Sequence, residues 1–169
     1  NLAVFDAQDG LQFDMLRRNV TDGGWADITS DEVSPRGMTP LFDAIGRVIS
    51  VAEADAPEKA VIVIMTDGRE NASREYNRKT VRDALDRVEK KGWEVVFLGA
   101  EFASFGDADA AGISSSKQMA VSKDRLESTM ENLAQKNRAY AQESAPVEFD
   151  DADRALADEE DVKRRKGPN

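Results

Sequence analysis

The 169 residues carry 23 Lys and Arg against 33 Asp and Glu, a formal net charge of −10, and include no cysteine and no histidine. The two zeros exclude disulfides, thiolate nucleophiles, iron–sulfur clusters, Cys-ligated zinc, imidazole proton shuttles and the usual serine and cysteine triads. Any metal must therefore be held by oxygen, which favours Mg²⁺, Mn²⁺ or Ca²⁺, and an acidic pI near 4.6 argues against nucleic acid and anionic membrane as partners.

In chain order, Leu2-Ala3-Val4-Phe5 is a short apolar strand closed by the turn Asp6-Ala7-Gln8-Asp9-Gly10, and Leu11 to Val20 alternates imperfectly as a second strand. Thr21-Asp22-Gly23-Gly24 is a turn, and Ala26 to Pro35 reads as a loop with room for one short strand. From Leu41 the apolar residues Leu41, Ile45, Val48 and Ala52 share one helical face, with Thr39 where an N-cap belongs and Pro40 at the first helical position; this helix ends near Ala56-Pro57. Ala60 to Met65 has no polar member, as expected of a central parallel strand covered on both faces, and stops at Thr66-Asp67-Gly68. Val81, Ala84, Leu85 and Val88 mark a second helix ending at Lys90-Lys91-Gly92, and Trp93 to Leu98 is again a nearly all-apolar strand. A short Ala-rich helix over 104–111, a short strand at Met119-Ala120-Val121, and a long helix capped by Ser122 follow, the last aiming Leu126, Met130, Leu133 and Tyr140 at the core. This alternation predicts an α/β domain over residues 1–142: a doubly wound, mostly parallel sheet with helices on both faces. From Glu143 to Asn169 the pattern dissolves into eight acidic residues between Glu148 and Asp161 and then Lys163 to Lys166, read as a charged tail, flexible or marginally helical, or as a docking segment.

In such a sheet, ligands gather at the carboxyl ends of the strands. Asp6, Thr39 and Asp67 fall there, all of them oxygen donors. Each also has a plain structural reading: Thr39 as an N-cap, Asp67-Gly68 as a turn, and Asp6 as a strand end, which is the favoured reading for Asp6. Trp25 and Phe105 are loop aromatics, read as satellite core in preference to interface anchors.

The two stretches Arg36-Gly37-Met38-Thr39-Pro40-Leu41-Phe42-Asp43-Ala44-Ile45-Gly46 and Val61-Ile62-Val63-Ile64-Met65-Thr66-Asp67-Gly68-Arg69-Glu70-Asn71-Ala72-Ser73, in this order, resemble the von Willebrand factor type A domain, in its bacterial and bacteriophage versions. The resemblance runs from about Leu2 to about Gln142 and implies a three-layer, Rossmann-like sandwich. It makes Thr39 the hydroxyl ligand of a Mg²⁺ and Asp67 the carboxylate that reaches the ion through a water, with a partner protein's acidic group completing the coordination. Met38, Arg69, Glu70 and Asn71 would then form a partner-binding rim. The implied function is a non-catalytic, metal-dependent protein-binding module, at a cytoplasmic or virion-associated location.

The family's Asp-x-Ser-x-Ser element is absent, and Leu2 to Asp6 matches its second strand. The first strand and first helix would therefore lie upstream of Asn1, and the missing strand is central in the family's sheet. Three ways to fill the gap stand open: the chain is part of a longer polypeptide, a separate chain donates the strand, or the sheet is rearranged and the metal site lost. Two other functions remain in view. One is a structural or assembly protein, of a phage or another large complex, that keeps the fold without metal. The other is a Mg²⁺-dependent phosphoryl-transfer domain with Asp67 as phosphoacceptor and Asp6 as second ligand, although no Gly-rich phosphate loop accompanies it.

Overall fold

The computed structural model describes residues 1–21, 23–33, 37–100 and 105–166. Arg36, inside the first motif, and Ser104, the expected start of the Ala-rich helix, lie outside the described residues. The chain opens with an antiparallel hairpin of β1 (Leu2–Ala7) and β2 (Leu11–Arg17), in which Phe5 faces Phe13 and Asp6 faces Gln12. Asp9 and Gly10 both adopt positive φ, 62° and 127°, so three residues suffice to reverse the chain. The turn therefore begins at Gln8, and Asp6 lies inside a strand where the sequence placed it at the strand's end.

The chain then alternates: α1 (Leu41–Asp55), β3 (Val61–Thr66), α2 (Arg78–Glu89), β4 (Glu94–Gly99), α3 (Phe105–Ala111), β5 (Gln118–Ala120), α4 (Leu126–Glu143), α5 (Asp151–Leu156) and α6 (Glu159–Lys166). The strands β3, β4 and β5 form a parallel three-stranded sheet in that order, so the described sheet winds in one direction with no reversal. Successive residues of a strand face opposite ways, and both faces are covered, which is why β3 and β4 read as unbroken apolar runs. Ile62, Ile64, Val95 and Phe97 pack on Leu41, Ile45 and Ile49 of α1 and on Val81, Leu85 and Val88 of α2. Phe105 joins this face edge-on to Phe97, with ring centroids 5.8 Å apart. Val96, Leu98, Met119 and Val121 pack on Leu133 and Tyr140 of α4 and on Val147, Phe149 and Ala157 beyond it. No helix among the described residues is long and apolar enough to cross a membrane.

The segment after Glu143 corrects the expectation of a flexible tail. Val147, Phe149, Ala157 and Val162 are buried, and the segment closes the outer edge of β5. Along that edge every second residue points its main-chain groups away from β4, and each finds a partner. The Ser116 carbonyl accepts from Phe149 N–H (2.7 Å), the Gln118 carbonyl from Arg154 Nη1 (3.0 Å), Ala120 N–H donates to Glu159 Oε1 (2.9 Å), and Ser122 N–H donates to the Ala157 carbonyl (3.0 Å). Arg154 also donates to both Glu159 oxygens at 3.1 Å, so this ion pair stands where a further strand would. Glu159 is 5% exposed. Burial pushes its carboxyl up, but the Ala120 N–H, Lys163 and Arg154 outweigh that and hold it below the usual carboxylate range. The acidic run reads as solvated in sequence because its apolar members are few and its charges find partners only across the fold.

The opposite edge differs. Ala60 and Thr66 accept from β4 (Glu94 and Ala100 N–H, 2.9 and 3.0 Å), so Ile62 and Ile64 also face β4 and the main-chain groups of Val61, Val63 and Met65 point outward. No described residue pairs with them. Met65 is 44% exposed and shares a small apolar cavity with Leu98, Val121 and Leu126. Leu126 and Met130, expected in the core, are exposed, and Thr129 is buried on α4 with Leu133 and Tyr140.

Two measurements check these edges. In native-state hydrogen exchange the Val61, Val63 and Met65 amides should exchange faster than those of Ile62 and Ile64; equal protection would mean that the edge is paired. Arg154→Ala should cost on the order of 2 kcal/mol, because it removes the donor to the Gln118 carbonyl and one of the two cations paired with the buried Glu159 carboxylate, leaving Lys163 and the Ala120 N–H. Glu53, held at about 2 by hydrogen bonds from Arg87 and then Lys91, and Glu159 both have lowered pKa values. Their stabilisation is complete above the unfolded value near 4.5 and is lost as pH falls through the folded values. Acid titration of thermal stability should therefore show a decline beginning below about pH 4.5, less steep in Glu159→Gln.

Candidate functional site

At the exit of β3, Thr66 Oγ1 accepts from Gly68 N–H (3.1 Å) and turns the chain off the sheet within two residues. Gly68 lies directly on the Thr39 side chain: a β-carbon built there would collide with Thr39 Oγ1. Thr39 and Asn71 are bound twice, Thr39 N–H to Asn71 Oδ1 (2.8 Å) and Asn71 N–H to the Thr39 carbonyl (3.1 Å). From the hairpin, Ala7 N–H donates to the Met38 carbonyl (3.2 Å). The Thr39 hydroxyl, the loop bearing Asp67 and the end of β1 next to Asp6 thus meet at one corner, although they are distant in sequence. Asp67 is exposed, and no described residue hydrogen-bonds its carboxylate. Among the described residues no three acidic side chains converge.

The Thr39 side chain is not the N-cap of α1 that the sequence allows. Pro40 holds that position without a side-chain bond, and the loop after β3 caps the helix from outside. Glu70 Oε2 accepts from Phe42 N–H (2.9 Å) and Ser73 Oγ accepts from Asp43 N–H (3.1 Å), while the Glu70 carboxylate also takes Ala72 N–H, Ser73 N–H and the Ser73 hydroxyl. An acidic group here also meets the positive end of the helix dipole. Of the expected rim, Met38, Arg69 and Asn71 are exposed and Glu70 is partly buried, with Glu70 and Asn71 also bonded to the start of α1.

Asp43 is the residue that sequence reasoning missed. Its carboxylate, 1% exposed, accepts three successive main-chain N–H groups, Arg74 (2.8 Å), Glu75 (3.0 Å) and Tyr76 (2.7 Å). Tyr76 in turn lays its ring on Gly46, where a β-carbon would strike it. Backbone donors more than 30 residues away leave no pattern around Asp43 in the sequence. A concavity lies elsewhere, between α2 and the end of α3, and none of Asp6, Thr39 and Asp67 lines it. Comparison of the chain with protein-family models, with curated proteins and with solved structures finds no match.

The close approach at Gly68 has a direct test. Gly68→Ala should destabilise the protein by about 1–3 kcal/mol through overpacking against Thr39. Thr39→Ala removes the colliding oxygen, so the double variant should be less destabilised than the sum of the singles, by about 1 kcal/mol in a double-mutant cycle. Strict additivity would place Gly68 away from Thr39.

Proposed function

We propose that this chain is most of a von Willebrand factor type A-like domain, a doubly wound sandwich short of its central strand, whose Thr39 and Asp67 corner binds Mg²⁺ and through it an acidic group of a partner protein. The observation that supports this reading is the packing of Gly68 on the Thr39 side chain, which brings the Thr39 hydroxyl against the residue that follows the exposed Asp67 at the carboxyl end of β3. The donor set fits part of a Mg²⁺ site. Thr39 Oγ1 is not engaged in capping α1, and Asp67 keeps its carboxylate available, but two protein oxygens fall short of octahedral coordination, and the remainder would come from water and from groups outside the chain. Mg²⁺ supplies a positive charge that a partner carboxylate can share; the protein's part is to hold the two donors on a rigid base. The work is recognition, not catalysis.

The unpaired edge of β3 supports the same reading, since a strand laid against Val61, Val63 and Met65 would complete the sheet beside the corner, whether it belongs to a longer polypeptide or is donated by another chain. That edge also favours a second reading, an assembly protein that uses strand addition without metal.

Metal dependence separates the two. Mg²⁺ at ten times its dissociation constant should stabilise the intact protein by about 1.4 kcal/mol, with the gain lost in Thr39→Ala and in Asp67→Ala. Identical melting of the intact protein in Mg²⁺ and in EDTA would remove the metal role and leave the assembly reading.

A further inference from the structure

The connection between β2 and α1 has no helix or strand among its described residues, yet its first half is built around one side chain. Arg17 donates from Nε to the Ala26 carbonyl (3.3 Å), from Nη2 to the Asp27 carbonyl (3.0 Å), and from both terminal nitrogens to the Glu32 carboxylate (2.6 and 3.1 Å). Glu32 also accepts from the main chain and hydroxyl of Thr29 (3.0 and 3.1 Å), and the Arg17 hydrogen bond, then that of Thr29, holds its carboxyl at about 2. Gly24 N–H closes a turn onto the Thr21 carbonyl at 2.8 Å. The carbonyls of Ala26 and Asp27 are thereby drawn inward, and the flanking side chains are left outside: Trp25 is 53% exposed and Ile28 is 48% exposed. Trp93, by contrast, is 3% exposed. Trp25 is thus not the satellite core residue that the sequence favoured, because the loop is ordered by a polar hub and not by burying its aromatic ring.

Between Val20 and Val33 the chain has four acidic residues and no Lys or Arg. With Glu32 neutralised by Arg17, Asp27 and Asp31 remain to charge the surface around the two apolar side chains. A preorganised Trp forfeits little entropy on binding and is a frequent anchor of protein interfaces, while the negative surround repels anionic lipid and nucleic acid. We propose that the Arg17-braced loop is a docking knob that inserts Trp25 and Ile28 into an apolar pocket on a partner protein rimmed by Lys or Arg. It is a contact independent of the Thr39 and Asp67 corner.

The test replaces Trp25, Ile28 or, as an exposed control on α4, Gln142 with the photo-cross-linking residue p-benzoylphenylalanine in the full chain, expressed in the cells that make it. A single heavier adduct is expected from positions 25 and 28 and none from 142. The cross-linked protein, identified and purified, should bind the unmodified chain in EDTA, at least tenfold more weakly to Trp25→Ser, nearly normally to Trp25→Phe, and more weakly in 0.5 M NaCl on the order expected for charge steering. Absence of an adduct, equal adducts at 142, binding that requires Mg²⁺, or a dissociation constant that changes less than twofold in Trp25→Ser would overturn the proposal. So would a blue shift of Trp25 emission on phosphatidylglycerol vesicles, which would make the ligand a membrane.

Discussion

A parallel sheet of three strands has two edges, and each edge presents main-chain donors and acceptors that must find partners or water. This constraint organises the molecule. At β5 it is met from within: the carbonyls of Ser116 and Gln118 and the N–H groups of Ala120 and Ser122 are all taken by residues 149–159, with Arg154 and Glu159 contributing side chains where backbone would normally serve. At β3 it is not met by any described residue, and the exposed apolar residues Met65 and Leu126 share a small cavity beside it. One edge is finished and the other is presented.

The helices are tied to the sheet by polar contacts at their ends. Lys59, just before β3, caps the carbonyl end of α4 by donating to the carbonyls of Tyr140 and Ala141, and the Tyr140 hydroxyl donates to the Gly92 carbonyl at the entry to β4. At the other end of the sheet, Glu70 and Ser73 cap α1 while Asp43 gathers the loop that follows. The candidate corner is a by-product of this second clasp. The loop that leaves β3 must come back over α1 to cap it, and in doing so it lays Gly68 on Thr39. A ligand that pulls on Asp67 therefore acts on the start of α1 as well.

Much of the α/β pattern was legible because burial leaves periodic marks. The unbroken apolar run from Val61 to Ile64 reports two covered faces, and Val81, Ala84, Leu85 and Val88 report one helical stripe. The meeting of Thr39 with the Thr66-Asp67-Gly68 turn was legible only through paired motifs, which name positions but not contacts. What failed to show was interaction by charge and by backbone. Glu159, Arg154, Asp43 and Arg17 are polar residues whose partners are main-chain groups remote in sequence, so nothing in their own neighbourhoods distinguishes them from solvated surface. Trp25 was misjudged for the complementary reason: an aromatic residue in a loop is normally ordered by being buried, and here Arg17 orders the loop instead.

The sequence by itself determined which chemistry is open to this protein, since a chain without Cys and His can bind metal only through oxygen, and it determined which segments alternate as strands and helices, since hydrophobic spacing is a local property. The tertiary structure alone decided that the acidic carboxyl-terminal segment seals a sheet edge, that Glu70 and Asn71 bond to the start of α1, and that β3 has an open flank among the described residues. These outcomes depend on which backbone groups remain unpaired once the strands are arranged, and that becomes defined only when the whole chain has folded.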